Sequence, residues 1–181
     1  ESLISIKSTN RSKFYAAKSL KLLTSNYVNF LKKPNNQNSF KMMMGANLAG
    51  KAINISKTTA PHAVSYPFSS LYGISHGHAV SLTLEKFLIY NYLNINRSNC
   101  SFNLNQRFQL IFKIMKVKNI YELCKKLKKI KMEANLEDDF IKLNINIKNN
   151  VHKILDGINV LRLKNNPVHL NHQIIKNILL E

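Results

Sequence analysis

The stretch Lys57-Thr-Thr-Ala-Pro-His-Ala-Val-Ser-Tyr-Pro-Phe-Ser-Ser-Leu-Tyr-Gly-Ile-Ser-His-Gly-His-Ala-Val80 constrains this chain more than any other part of it. It holds three of the six histidines and two of the five glycines, with little charge around them. A neutral imidazole is a good ligand for iron, zinc or nickel. His62 and His76 meet only if the chain folds back between them, and Pro67 and Gly73 are placed to allow that return. Ser75 is placed to cap a helix that begins near His76.

The rest of the sequence narrows the function classes. A chain of 181 residues is long enough for one domain with a core, or for two small ones. Lys and Arg outnumber Asp and Glu by 27 to 9, a net charge of +18. Alone, that points to nucleic acid or an anionic membrane surface. The lysines are dispersed among many asparagines and isoleucines, the mixture an A+T-rich coding sequence yields, so the charge reads mainly as background. The densest run, Lys125-Lys-Leu-Lys-Lys-Ile-Lys131, has apolar residues at helical spacing and reads as the solvated face of a helix. Cys100 and Cys124 have neither metal-motif nor disulfide-framework spacing, which suits a reduced, cytoplasmic chain. No apolar run reaches the length of a membrane span, and no signal-peptide pattern opens the chain. No Gly-rich phosphate loop, zinc-finger spacing or Gly-x-Ser-x-Gly elbow occurs.

Periodicity predicts helices throughout. Phe14, Ala17, Leu20, Leu23, Val28 and Leu31 mark one over residues 12–32, capped by Thr9 or Ser12 and ended before Pro34. A second spans residues 39–55 from Asn38 or Ser39, with Met42, Met43 and Met44 as core filler and Gly45, Ala46, Ala49 and Gly50 as a close-approach face. The helix from His76 to about Asn94 is expected to be central. Residues 95–104 form a loop, and a helix through Phe108, Ile111 and Met115 follows. Asn119 caps the next, which carries Ile120, Leu123, Cys124, Leu127 and Ile130 on one face. Small helices are expected near residues 137–142, 148–155 and 171–180. Residues 143–147 alternate like a strand but lack a partner and read as loop. Residues 1–10 alone could form a strand. The fold class is all-α: a multi-helix bundle, one helical domain over residues 1–181, with the His62/His76 loop at one end facing a cleft.

The histidine stretch resembles the metal-binding region of the iron-containing (group III) alcohol dehydrogenases. In that family a His near the end of one helix, in a His-Ala-x-x-His-Pro-like pattern, and the His of a His-Gly pair opening the next helix both bind the catalytic metal. His62 and His76 match them. Tyr66 stands where many members carry a further, non-ligating histidine. His-Gly-His-Ala-Val at 76–80 is also similar to the His-Gly-Glu-Ala-Val of the related dehydroquinate synthases. Two further segments match in order: Glu1-Ser2-Leu3-Ile4-Ser5, similar to the end of a helix and its loop, and Arg162-Leu-Lys-Asn-Asn-Pro167.

The resemblance implies the C-terminal helical domain of such an enzyme. The family's other two ligands, an Asp and a His-type group, would lie before residue 1, as would the nucleotide-binding domain, so the expectation is a chain truncated at its N-terminal end. The implied cofactors are a divalent metal, Fe2+ or Zn2+, acting as a Lewis acid, and NAD or NADP through that absent domain. The implied partners are a small alcohol or aldehyde and the nucleotide-binding domain, with a homo-oligomer left open and neither membrane nor nucleic acid expected. Tyr66 would face the cavity as a hydrogen-bond donor or relay, or else pack. His78 and Lys57 would meet an anionic part of a substrate, or else be solvated. Tyr66 with His-Gly-His is similar to the branch that includes phosphonoacetaldehyde-type reductases. The acidic residues Glu133, Glu137, Asp138 and Asp139 lie far along the chain, so no carboxylate is expected beside the histidines. The alternatives are a catalytically inert fragment of that family and a basic helical module binding nucleic acid nonspecifically.

Overall fold

Side-chain caps one turn long set most of the helix starts. The computed structural model describes residues 1–181 and contains nine α-helices, one 3-10 turn at Ile95–Arg97, and a lone β-bridge between Ser98 and Val168. Helix α1 (Asn10–Lys32) opens on a capping box: Thr9 Oγ1 accepts from Ser12 N, and Ser12 Oγ accepts from Thr9 N. Helix α2 (Asn36–Ser56) opens the same way on Asn35 and Asn38, one turn before the expected cap. Asn103, Asn119, Asn146, Asn159 and Asn171 each accept from a backbone N–H in the first turn of α5 (Leu104–Met115), α6 (Ile120–Glu133), α7 (Ile147–Asp156), α8 (Val160–Leu163) and α9 (His172–Leu180). The asparagines that composition marks as background are thus the punctuation of the fold.

Helices α1 and α2 fold back on each other as a hairpin. Close approach is real at Gly45: a Cβ there would lie 2.7 Å from Leu23 Cδ2, and Ser19 Oγ donates to Gly45 O at 2.7 Å. It does not extend to Gly50, which faces open space. Met43 and Met44 are exposed rather than core filler, because α2 packs chiefly on α1 and its outer face meets no other helix.

The remaining helices build two apolar clusters that share α4 (His76–Leu93). One joins α3 (Ala60–Tyr72), α4, α7 and α9 through Phe68, Phe87, Ile154 and Ile175. The other joins residues 1–10, α4, α5 and α6 through Ile4, Leu88, Phe108, Met115 and Ile120. Supplying residues to both makes α4 the central helix. Residues 1–10 form turns, not a strand. Residues 137–142 form no helix; the chain turns at 140–144 and Asn144 takes a left-handed φ of 58°. The basic run of α6 is not wholly solvated. Lys131 continues the stripe of Leu123 and Leu127 at four-residue spacing, so it turns inward and is buried.

Cys100 and Cys124 are free and half-buried, and burial pushes both thiols up to about 11. The thiolate is the nucleophile. Iodoacetamide at pH 8 should therefore alkylate the folded chain about a hundredfold more slowly than the urea-unfolded chain. The native rate should climb as pH rises toward 11, as mass spectrometry of timed samples would record.

Candidate metal centre

Helix α2 stops at Ser56, and Lys57 takes a left-handed φ of 59° that ends it. Helix α3 then opens Ala60-Pro61, with proline in the first turn where no N–H is needed. His62 therefore lies at the start of a helix, not near the end of one as the resemblance implied. Thr59 supplies no side-chain cap. Glu1 does instead: its Oε1 accepts from Thr59 N at 2.9 Å and Thr59 Oγ1 at 2.7 Å, while its Oε2 pairs with His62 Nδ1. A carboxylate at a helix N-terminus also meets the positive end of the dipole. Burial opposes the ionisation of Glu1, but the hydrogen bonds from His62 and Thr59 and the nearby imidazole charge favour it and hold the carboxyl below the usual carboxylate range. This corrects the expectation that no carboxylate stands beside the histidines.

Gly73 makes the return, with a φ of 67° at the end of α3. Pro67 does not; α3 runs through it. Proline cannot donate to the carbonyl one turn back, and that carbonyl, Ala63 O, accepts instead from Asn159 N at 3.2 Å. Pro67 thereby anchors the α7–α8 link, where a Cβ on Gly157 would stand 3.0 Å from Pro67 Cβ. His76 is the first residue of α4, and Ser75 precedes it without a side-chain cap bond.

The imidazoles of His62 and His76 stand edge to face, 5.1 Å between centroids and 70° between planes. The Tyr66 centroid lies 5.9 Å from that of the His76 ring, and Arg162 Cζ lies 5.4 Å from the Tyr66 centroid. Ser65 Oγ lies 3.5 Å from His76 Nδ1 and donates to His62 O. Partial desolvation, then the nearby His62 and Arg162 charges, hold His76 below the ordinary imidazole value, which favours the neutral ring. The side chains of Lys57 and His78 take partners elsewhere: Lys57 Nζ donates to Asn54 O, and His78 Nε2 lies 2.6 Å from Glu137 O. Sequence reasoning missed Glu1 and Arg162 as neighbours of the pair. Only the ordered segments around them hinted at either.

The Arg-x-x-Asn-Asn-Pro segment clamps this region. Arg162 Nη1 donates to Thr58 Oγ1, and Asn165 Nδ2 donates to Thr58 O. Asn166 exchanges amide bonds with Asn91 of α4 and donates to Val168 O.

The donor set fits half of a metal site. With the Glu1 carboxylate on Nδ1 of His62, Nε2 is the nitrogen left for a metal, the usual way a second partner orients a ligating imidazole. No group of three or more His, Cys, Asp or Glu side chains suited to a metal converges anywhere in the chain.

An all-α chain that presents two imidazoles where two helices meet defines a class: a helical domain carrying a candidate metal half-site. The chain belongs to the Fe-containing alcohol dehydrogenase family, whose C-terminal family model matches residues 1–181. A phosphonoacetaldehyde reductase of Streptomyces viridochromogenes is 39% identical over 51 residues, which is 28% of this chain and 13% of that protein. The sulfoacetaldehyde reductase of Bifidobacterium kashiwanohense, solved with NAD+, superposes with a TM-score of 0.83 at 23% identity, covering 99% of this chain and 45% of that one. An alcohol dehydrogenase from Oenococcus oeni gives a TM-score of 0.85 at 18% identity, covering 99% and 47%. The chain thus spans less than half the length of these relatives. No helix is long and apolar enough to cross a membrane.

Proposed function

We propose that this chain presents two of the metal ligands of an iron-type alcohol dehydrogenase that interconverts an alcohol and an aldehyde with NAD or NADP. The observation that carries it is the edge-to-face His62/His76 pair, 5.1 Å apart, with His62 oriented by Glu1. In this reading His62 and His76 hold a divalent ion, ferrous iron or zinc. When bound, the ion supplies Lewis acidity toward the substrate oxygen. Both imidazoles are neutral donors, so the anionic ligand comes from the part of the protein outside residues 1–181, as does the dinucleotide site. Glu1 fixes the tautomer and tilt of His62. Tyr66, flanked by His76 and Arg162, offers its hydroxyl to a substrate oxygen and shields one side of the pair from water. The partial match to a phosphonoacetaldehyde reductase supports a short aldehyde that bears an anionic group.

Anaerobic titration of the purified chain with Fe2+ and Zn2+ tests the reading, beside His62→Ala, His76→Ala and Glu1→Gln. Each histidine variant should lose about a hundredfold or more in affinity, and Glu1→Gln about tenfold. Equal binding by the wild type and both histidine variants would sink the proposal, and absence of binding by all of them would restrict it to the intact protein.

A further inference from the structure

We propose that Arg162 is the receptor for the anionic end of the substrate, so that the site selects short aldehydes carrying a phosphonate, sulfonate or carboxylate. This rests on the reading that the aldehyde oxygen is held at the His62/His76 pair. The sequence assigns that role to Lys57 and His78, but their side chains are engaged elsewhere. Arg162 is half-buried, and none of the carboxylates in the chain forms an ion pair with it. A guanidinium has five N–H donors. One bonds Thr58 Oγ1, and the others have no protein partner and are open to solvent. The guanidinium carbon lies 5.4 Å from the Tyr66 centroid and the Thr58 bond tethers the fork, which limits the rotamer freedom that binding would otherwise cost. A planar, pre-oriented fork with free parallel N–H groups matches an oxyanion in bidentate fashion.

The placement also limits the length of the ligand. Tyr66 neighbours both groups, its centroid 5.4 Å from the guanidinium carbon and 5.9 Å from the His76 ring centroid. A molecule whose carbonyl oxygen sits at the histidines and whose oxyanion reaches Arg162 therefore stays beside one tyrosine ring, which favours a short backbone. No carboxylate faces this path. Glu1, the acid nearest the pair, has its oxygens occupied by Thr59 and His62. The rival account makes Arg162 a staple between α8 and the α2–α3 link. Asn165 already ties α8 to the same Thr58 through its backbone oxygen, and stapling uses only one of the guanidinium donors.

The test compares Arg162→Lys, Arg162→Met and Thr58→Val in the intact protein that carries this chain. Phosphonoacetaldehyde and the uncharged propanal serve as substrates. Binding of 2-hydroxyethylphosphonate to the metal-free protein, followed by phosphorus NMR, gives a readout independent of turnover. Arg162→Met should raise KM for phosphonoacetaldehyde and weaken 2-hydroxyethylphosphonate binding about thirtyfold each, the loss of a charge-assisted pair. Its kcat/KM for propanal should fall several-fold less than that for phosphonoacetaldehyde. Arg162→Lys should recover part of the loss, and Thr58→Val, which cuts the staple but spares the guanidinium, should keep the preference for the phosphonate. Equal losses on both aldehydes, loss of the preference in Thr58→Val, or no change in Arg162→Met would overturn the proposal. If the metal reading alone is wrong, the histidine variants retain metal while the Arg162 variants still lose phosphonate binding, so the two failures are distinguishable.

Discussion

Lys131→Met lowers the stability of the chain by about 3 kcal/mol, read as a shift in the urea midpoint at unchanged slope. The Lys131 side chain is 6% exposed, and its Nζ lies 2.7 Å from Glu85 Oε1 and 2.5 Å from Asp138 Oδ1. The same atom donates to Ser81 O at 3.3 Å. One ammonium therefore joins α6 to α4 and to the turn-forming segment after α6. Methionine fills much of the volume but leaves two carboxylates facing each other in a partly desolvated site. Discrimination comes from the triple variant. Adding Glu85→Gln and Asp138→Asn to Lys131→Met should restore most of the loss, because the orphaned charges go with it. If the triple variant is no more stable than Lys131→Met, packing of the lysine stem carries the effect and the charge argument fails.

Phe68→Ala should cost about 4 kcal/mol. Phe68 is fully buried on α3, stacked on Phe140 at 5.6 Å between centroids and 6.4 Å from Tyr72. Its ring belongs to the cluster on which α3, the helix carrying His62 and Tyr66, packs, so the cavity would loosen the support of that helix. The loss should appear twice: as a fall in the thermal midpoint, and as weaker metal binding at temperatures where the variant is still folded. Phe68→Leu should lose about 1 kcal/mol and keep its metal affinity, because it restores most of the volume. A destabilised Phe68→Ala that binds metal as tightly as the wild type would show that α3 holds its histidine independently of this core.

The two variants sample different kinds of information. Phe68 is a large apolar residue, a type that is buried by default. Lys131 lies in a basic run that reads as a solvated face, and only the position of Glu85 and Asp138 reverses that reading. The same division runs through the site. His62 and His76 are legible because the motif fixes their residue types and the turn between them is local, closed by Gly73. Pro67 takes no part in that turn: it reads as a breaker but is tolerated inside α3, where Asn159 N supplies the bond to Ala63 O that proline vacates.

The sequence by itself determined the all-α class, the approximate place of most helices, the Thr9 and Asn119 caps and the pairing of His62 with His76. All of these rest on bonds and periodicities within a turn or two, where neighbouring residue types dictate the outcome. Only the tertiary structure decided that Glu1 orients His62, that Lys131 is buried, and that Arg162 rather than Lys57 or His78 stands beside Tyr66. Glu1 and His62 are 61 positions apart, and Arg162 and Thr58 are 104 apart. Contacts at such separations depend on how whole helices pack, and no local pattern in the chain encodes which charged group will meet which.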